Sequence, residues 1–134
     1  MKRVQISTNK ERLNVNLIHG FLTEAYWAKG RTIDQVNKCI DNSLNFGIYK
    51  DEQQIGYARV VTDYTIFAYL LDVFISKEER GNGYGKKLLN HIINHPKLAN
   101  VGNWKLATED AQELYRKLDF EKIKNPENMM ERNL

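Results

Sequence analysis

The stretch Arg80-Gly81-Asn82-Gly83-Tyr84-Gly85 constrains the fold most, because it separates two segments of different period. Before it, Ile66 to Ile75 holds nine apolar residues and one acid, Asp72, which suits a buried strand. After it, Leu88, Leu89, Ile92 and Ile93 recur at helical spacing until Pro96 stops the pattern. A glycine-rich turn that opens a helix presents unpaired backbone N–H groups at the positive end of the helix dipole, a natural site for phosphate. Glycines let the main chain approach an anion, and Arg80 and Lys86 add positive charge beside it.

Spacing narrows the phosphate ligand. A nucleoside-triphosphate loop needs Gly, four residues, then Gly-Lys-Ser/Thr. Gly85-Lys86 would place the first glycine at position 80, which is arginine, and Lys87 stands where the hydroxyl belongs. A dinucleotide fingerprint needs a third glycine three places after the second. Lys86 or Leu88 occupies that place, depending on the starting glycine. Both readings fail. An ordinary glycine-rich turn remains the plain alternative, weighed against an arginine, a strand and a helix that stand where a pyrophosphate cradle needs them.

The rest of the chain supplies partners for this unit. Arg3 to Ser7 reads as a short first strand, and Leu17, Ile18, Phe21, Leu22 and Ala25 as a helix capped by Asn14 or Asn16. Thr32-Ile33-Asp34-Gln35 looks like a capping box, with Ile33, Val36, Ile40 and Leu44 behind it. From Phe46 the period becomes two, and Phe46–Tyr49 and Ile55–Val61 read as a hairpin around Lys50-Asp51-Glu52-Gln53. Trp104–Ala107 reads as a fifth strand, Ala111–Leu118 as a short helix, and Phe120 to Met130 as a terminal strand or hairpin. The order β-α-α-β-β-β-α-β-α-β predicts an α/β (mixed α+β) domain, one mixed sheet with helices on both faces.

Composition excludes several classes. The 134 residues suit a single domain with a proper core, 1–134. No apolar run follows Met1-Lys2-Arg3, so no signal peptide is expected, and no stretch approaches the ~20 apolar residues of a membrane span. Cys39 is the only cysteine, so no intrachain disulfide can form, which suits a cytoplasmic location. A net charge of +3 argues little for nucleic acid and suits an anionic cofactor.

Arg80-x-x-Gly83-x-Gly85 resembles the Arg/Gln-x-x-Gly-x-Gly/Ala signature of the GNAT superfamily, the acyl-CoA-dependent N-acetyltransferases. A second segment, Ala111-Gln112-Glu113-Leu114-Tyr115-Arg116-Lys117-Leu118-Asp119-Phe120, is similar to that family's Ala-x-x-x-Tyr-x-x-x-Gly-Phe. Asp119 replaces the usual glycine and Thr108 an asparagine that often helps to hold the cofactor. Asp tolerates the left-handed conformation at a helix end. The resemblance runs from about Phe46 to Phe120 and implies one catalytic domain with a largely antiparallel sheet splayed between strands 4 and 5. It also implies acetyl-CoA as cosubstrate, with its pyrophosphate on Arg80, Gly81, Asn82, Gly83, Tyr84, Gly85 and Lys86. Backbone around Phe74 and Ile75 would hold the pantetheine arm, and Thr108 and Ala111 would lie beside it.

The reaction so implied passes an acetyl group to a primary amine by direct attack. Amines of pKa near 10.4 must first lose a proton, and positioned acids and bases give about 10²–10⁴-fold in rate. Tyr115 is the candidate acid, because the family's tyrosine points at the thioester sulfur; the plain alternative packs it with Leu114 and Leu118. Asp72 is either a base, direct or through water, or an anchor for the ammonium, or it pairs with Arg59, the one charge of the neighbouring strand. Tyr26, Trp27 and Arg31 follow the first helix, where the family shapes its acceptor pocket; Tyr26, Trp27 and Arg59 are the substrate-binding candidates, unless the aromatic pair only forms an apolar corner over the sheet. His91 and His95 have a metal-like spacing but no accompanying glutamate, so a solvated helix end is the expectation and no metal is called for. The expected acceptor is a small molecule or peptide amine, with no membrane partner; a homodimer stays open. A CoA-binding sensor or interaction module without turnover is the rival reading, and an acetyltransferase of aminoacyl-tRNA a third.

Overall fold

The computed structural model describes residues 3–134, and its sheet has five strands in the order β1-β2-β3-β4-β5. These are β1 (Val4–Ser7), β2 (Leu44–Lys50), β3 (Gln53–Thr62), β4 (Phe67–Ile75) and β5 (Asn103–Lys105). The first four pair antiparallel in sequence, and β5 joins β4 in parallel. Four helices cover it: α1 (Val15–Leu22), α2 (Ile33–Asp41), α3 (Tyr84–Ile93) and α4 (Gln112–Arg116). Asn14 caps α1 by accepting the Leu17 N–H, and Thr32 and Gln35 form a complete capping box on α2.

Each sheet face carries its own core. Phe46, Ile48, Val60, Ala68 and Leu70 pack with Leu88, Leu89 and Ile92 of α3 and Tyr115 of α4. On the other face Tyr57 and Phe74 pack with Ile18 and Leu22 of α1 and Val36 and Ile40 of α2. From Ala68 onward β4 is thus packed on both faces, which is why its apolar run lacks alternation.

β4 changes its facing partway. Tyr57 stands opposite Phe74 but Arg59 opposite Leu71, so Asp72 and Val73 together face Ala58. This is a β-bulge, and Asp72 occupies it with φ 55. Before the bulge Ala68 and Leu70 point toward α3; after it Phe74 points toward α1 and α2 while Val73 and Ile75 pack toward α3. One extra residue exchanges the faces.

The termini of the predicted elements need correction. The fifth strand is Asn103–Lys105 rather than Trp104–Ala107, and α4 is shorter than Ala111–Leu118. The hairpin strands are longer than expected, and the turn between them narrows to Asp51-Glu52. Phe120 to Met130 forms no strand: Asn125 sits at φ 52 and Pro126 opens a single 3-10 turn. Proline offers no ladder donor, and one apolar residue (Ile123) between Phe120 and Pro126 gives a strand no face to bury.

Candidate active site

β5 pairs with β4 only at Phe67, Ala68 and Tyr69, so from Leu70 to Ile75 that edge of β4 has no neighbouring strand. The Ser76 N–H to Ile55 carbonyl bond (2.7 Å) sets the phase of the β3–β4 ladder. By alternation Phe74 turns its peptide groups to β3, and Val73 and Ile75 turn theirs to the open edge. Val73 is a position that sequence reasoning missed, because the phase of the ladder follows from the bulge.

The open edge runs directly into the glycine loop. Arg80 Nε donates to the Ile75 carbonyl (3.0 Å), and its guanidinium lies 5.8 Å from the Phe21 ring centroid. Asn82 Nδ2 donates to the Glu79 carbonyl (3.1 Å). Gly81 and Gly83 take φ 84 and 79, left-handed conformations that disfavour any other residue. Gly83 is the N-cap of α3, and its carbonyl accepts from Lys87 N at 3.0 Å, the first bond of the helix. The N–H groups of Tyr84, Gly85 and Lys86 therefore open α3 without helical acceptors. A Cβ on Gly85 would meet Ile75 Cγ1 at an ordinary 3.8 Å, so protein packing alone does not demand glycine there.

Across the cleft stands Tyr115, buried among Leu114, Leu118 and Phe120, whose ring meets it edge-on at 5.8 Å. Burial first, then the neighbouring Tyr26 and Asp110, push its pKa up to about 12. Its hydroxyl has no hydrogen-bond partner among the described residues. Asp119 ends this helix at φ 69, and Phe120 N donates back to the Tyr115 carbonyl (3.1 Å). Thr108 Oγ1 accepts from Ala111 N (3.1 Å), so that hydroxyl is engaged in the turn that opens α4. A groove of about 810 Å³ between β5, α4 and residues 121–129 is lined in part by Tyr115 and Thr108.

The α1–α2 connection closes over the bulge. Tyr26 Oη accepts from Glu109 N (3.0 Å), tying this connection to the loop before α4. The Tyr26 and Trp27 rings meet edge-on at 5.1 Å, and Phe21 stacks on Phe74 at 4.1 Å. Trp27 Nε1 donates to Asp72 Oδ1 (2.9 Å), while Arg31 Nη1 and Arg59 Nε both donate to Asp72 Oδ2 at 2.6 Å. Arg59 Nη1 also donates to Ser43 Oγ (3.2 Å). Asp72 is thus a junction of three donors as well as the partner of Arg59. Sequence reasoning could not see the Trp27 and Arg31 contacts, since both residues lie more than 40 positions away.

Elsewhere, His91 and His95 of the α3 end both set their rings edge-on to Phe46, at 6.1 and 5.4 Å. Lys50 pairs with Glu79 (3.1 Å) beside the glycine loop. No described helix is long and apolar enough to cross a membrane.

Comparison with known proteins agrees with this geometry. A family model described as an acetyltransferase (GNAT) domain matches residues 41–122. A crystal structure from Xanthomonas campestris pv. campestris, described as a GNAT-family acetyltransferase, is 41% identical and superposes with TM-score 0.95 over 100% of this chain and 95% of its own. A Gibberella zeae protein described as an acetyltransferase is 28% identical over 84% of this chain and 75% of its own length. A Clostridium acetobutylicum structure described as an acetyltransferase with acetyl-CoA shares the fold at TM-score 0.71 and 15% identity, covering 99% of this chain and 96% of that one.

Proposed function

The chain belongs to the GNAT acetyltransferase family, and from that premise we propose that it transfers an acetyl group from acetyl-CoA to a primary amine by direct attack. The observation that carries this reading is the continuity of the unpaired β4 edge, Leu70 to Ile75, with the N–H groups that open α3. A linear cosubstrate with an anionic pyrophosphate in its middle fits both halves of that surface. The fold neighbour solved with acetyl-CoA favours the same donor.

Bound acetyl-CoA supplies an acyl group activated as a thioester. Gly81 to Lys86 and Arg80 hold the pyrophosphate by backbone N–H groups and charge. The outward peptide groups of Val73 and Ile75, flanking Phe74, orient the pantetheine arm and offer donors for developing negative charge on oxygen. Thr108 and Ala111 line the same arm from the turn before α4. Tyr115 holds its proton at neutral pH and donates it, or a hydrogen bond, toward the sulfur as the C–S bond breaks. Tyr26 and Trp27 wall the acceptor side with Arg59. Asp72, with both oxygens engaged by three donors, positions Trp27, Arg31 and Arg59 rather than taking the proton of the amine itself; that proton leaves through water.

The test is thiol release from acetyl-CoA across an amine panel, preceded by thermal shift with CoA. A shift followed by amine-dependent thiol supports the reading. A shift with no thiol from any amine returns the CoA-sensor reading, and no shift removes both.

A further inference from the structure

The junction at Asp72 carries more positive charge than it neutralises. Two guanidiniums, Arg31 and Arg59, converge on one carboxylate, at 2.6 Å each on the same oxygen. Asp72's side chain is only 1% exposed and Arg59's 10%, so water screens this excess poorly. Arg31 is more open, at 19%. Trp27 adds a third donor and no charge. After these bonds and the Arg59–Ser43 contact, the remaining guanidinium N–H groups of both arginines have no acceptor among the described residues. Arginine has five donors and no acceptor, and guanidinium N–H groups left free but open to solvent are available to an anion. Glu109 and Asp110 lie in the loop before α4, on the side of Tyr115.

We infer that the acceptor is an amine that also carries an anionic group, a carboxylate or a phosphate, recognised by the free donors of Arg31 and Arg59. This rests on the acetyltransferase reading and deepens it. Tyr26 links the two ends of the site, because it lies near Tyr115 and its neighbour Trp27 touches Asp72. An amine held at the Tyr115 end therefore places its far end toward the arginines. The fork of a guanidinium takes a carboxylate or phosphate through paired N–H bonds, which a neutral amide or alcohol cannot match.

The experiment measures kcat/KM by thiol release for matched pairs that differ only in charge. One arm sets β-alanine, 4-aminobutyrate and the common α-amino acids against their carboxamides. The other sets 2-aminoethyl phosphate against ethanolamine. Charge-assisted bonds predict a preference of about 10- to 100-fold for the anionic member of at least one arm, and the favoured arm identifies the anion. Acidity works against the effect, since amides leave more of the amine neutral. In Arg31→Gln the preference falls toward one, and Arg31→Lys restores part of it; thermal shift with CoA confirms that each variant is folded. Equal rates for both members of every pair, with thiol released, overturn the inference and leave the acetyltransferase reading standing. An unchanged preference in Arg31→Gln also overturns it. No thiol from any pair, with thiol released from other amines of the wider panel, overturns the inference alone; no thiol from any amine of that panel overturns the acetyltransferase reading with it.

Discussion

Asp72 and Tyr115 are both buried polar residues, but their surroundings differ: Asp72 has three donors and Tyr115 has no hydrogen-bond partner among the described residues. Asp72 is engaged by three donors, and removing its carboxylate charge leaves Arg31 and Arg59 facing each other in a poorly solvated place. Asp72→Asn keeps the size of the side chain and tolerates the positive φ, so it isolates the charge. Breaking a buried pair by removing one partner costs about 3–5 kcal/mol, and the partial exposure of Arg31 favours the lower end. The urea midpoint should fall accordingly with an unchanged m-value; a loss below about 1 kcal/mol would show that the junction contributes little. Tyr115 instead has no partner, and burial holds its proton on. With a pKa pushed up to about 12, it stays a neutral donor across the working range. The kcat/KM profile should therefore rise as the acceptor ammonium deprotonates and show no falling limb from Tyr115 below about pH 11. Tyr115→Phe should lower kcat by about 100-fold while CoA affinity changes less than about threefold. A falling limb near pH 8–9 that disappears in Tyr115→Phe would contradict this assignment. Stability has the same sign: a raised pKa protects the fold below the ordinary value of 10.0, and that contribution is lost as pH climbs toward 12.

At the scale of elements, local chemistry was written in the sequence and tertiary pairing was not. The Thr32 capping box, the Asn14 cap and the strand–glycine–helix unit at residues 66–93 depend on neighbours within a turn, so residue types alone reveal them. The bulge at Asp72 depends on how β3 and β4 slide past each other, and no pattern within β4 marks it. The missing terminal strand failed for a related reason. An edge position beside β5 needs a partner ladder, and β5 offers only three residues. The glycine-rich turn was legible while its geometry was not: Gly81 and Gly83 are needed for their φ values, whereas Gly85 meets only ordinary contact. Gly83→Val tests this at the head of α3. A new Cβ at Gly83 meets no protein atom within 4 Å, so any damage comes from strain at φ 79 and from obstruction of the ligand. The strain costs about 1–2 kcal/mol, and CoA affinity should fall by at least about tenfold. Gly102→Ala is the matched control, because its Cβ also meets nothing and its φ is not positive. Normal CoA affinity in Gly83→Val would remove the cradle assignment.

The whole molecule is two cores on opposite faces of one sheet, and its two halves are joined unevenly. β1 to β4 form long antiparallel ladders, whereas β5 joins the sheet through three residue pairs, and α4 is held by the packing of Tyr115 and its neighbours and by the Tyr26–Glu109 bond. Local opening free energy follows such differences, so residues 103–120 should exchange their amide hydrogens faster than β2 and β3. A cosubstrate lying on the β4 edge touches the α3 start on one side and the turn before α4 on the other, and so bridges the weak junction. At a CoA concentration 100 times its Kd, binding adds about 2.7 kcal/mol, which for a chain of this size raises Tm by roughly 5–10 °C. The protection should not be uniform. Hydrogen exchange should slow most in residues 103–120 and at Tyr84–Lys86, and least in β1 and β2, which lie farthest from the open edge. Protection confined to Tyr84–Lys86 would mean that the ligand is held by its phosphates alone, and the pantetheine track along Val73 and Ile75 would then have to be abandoned.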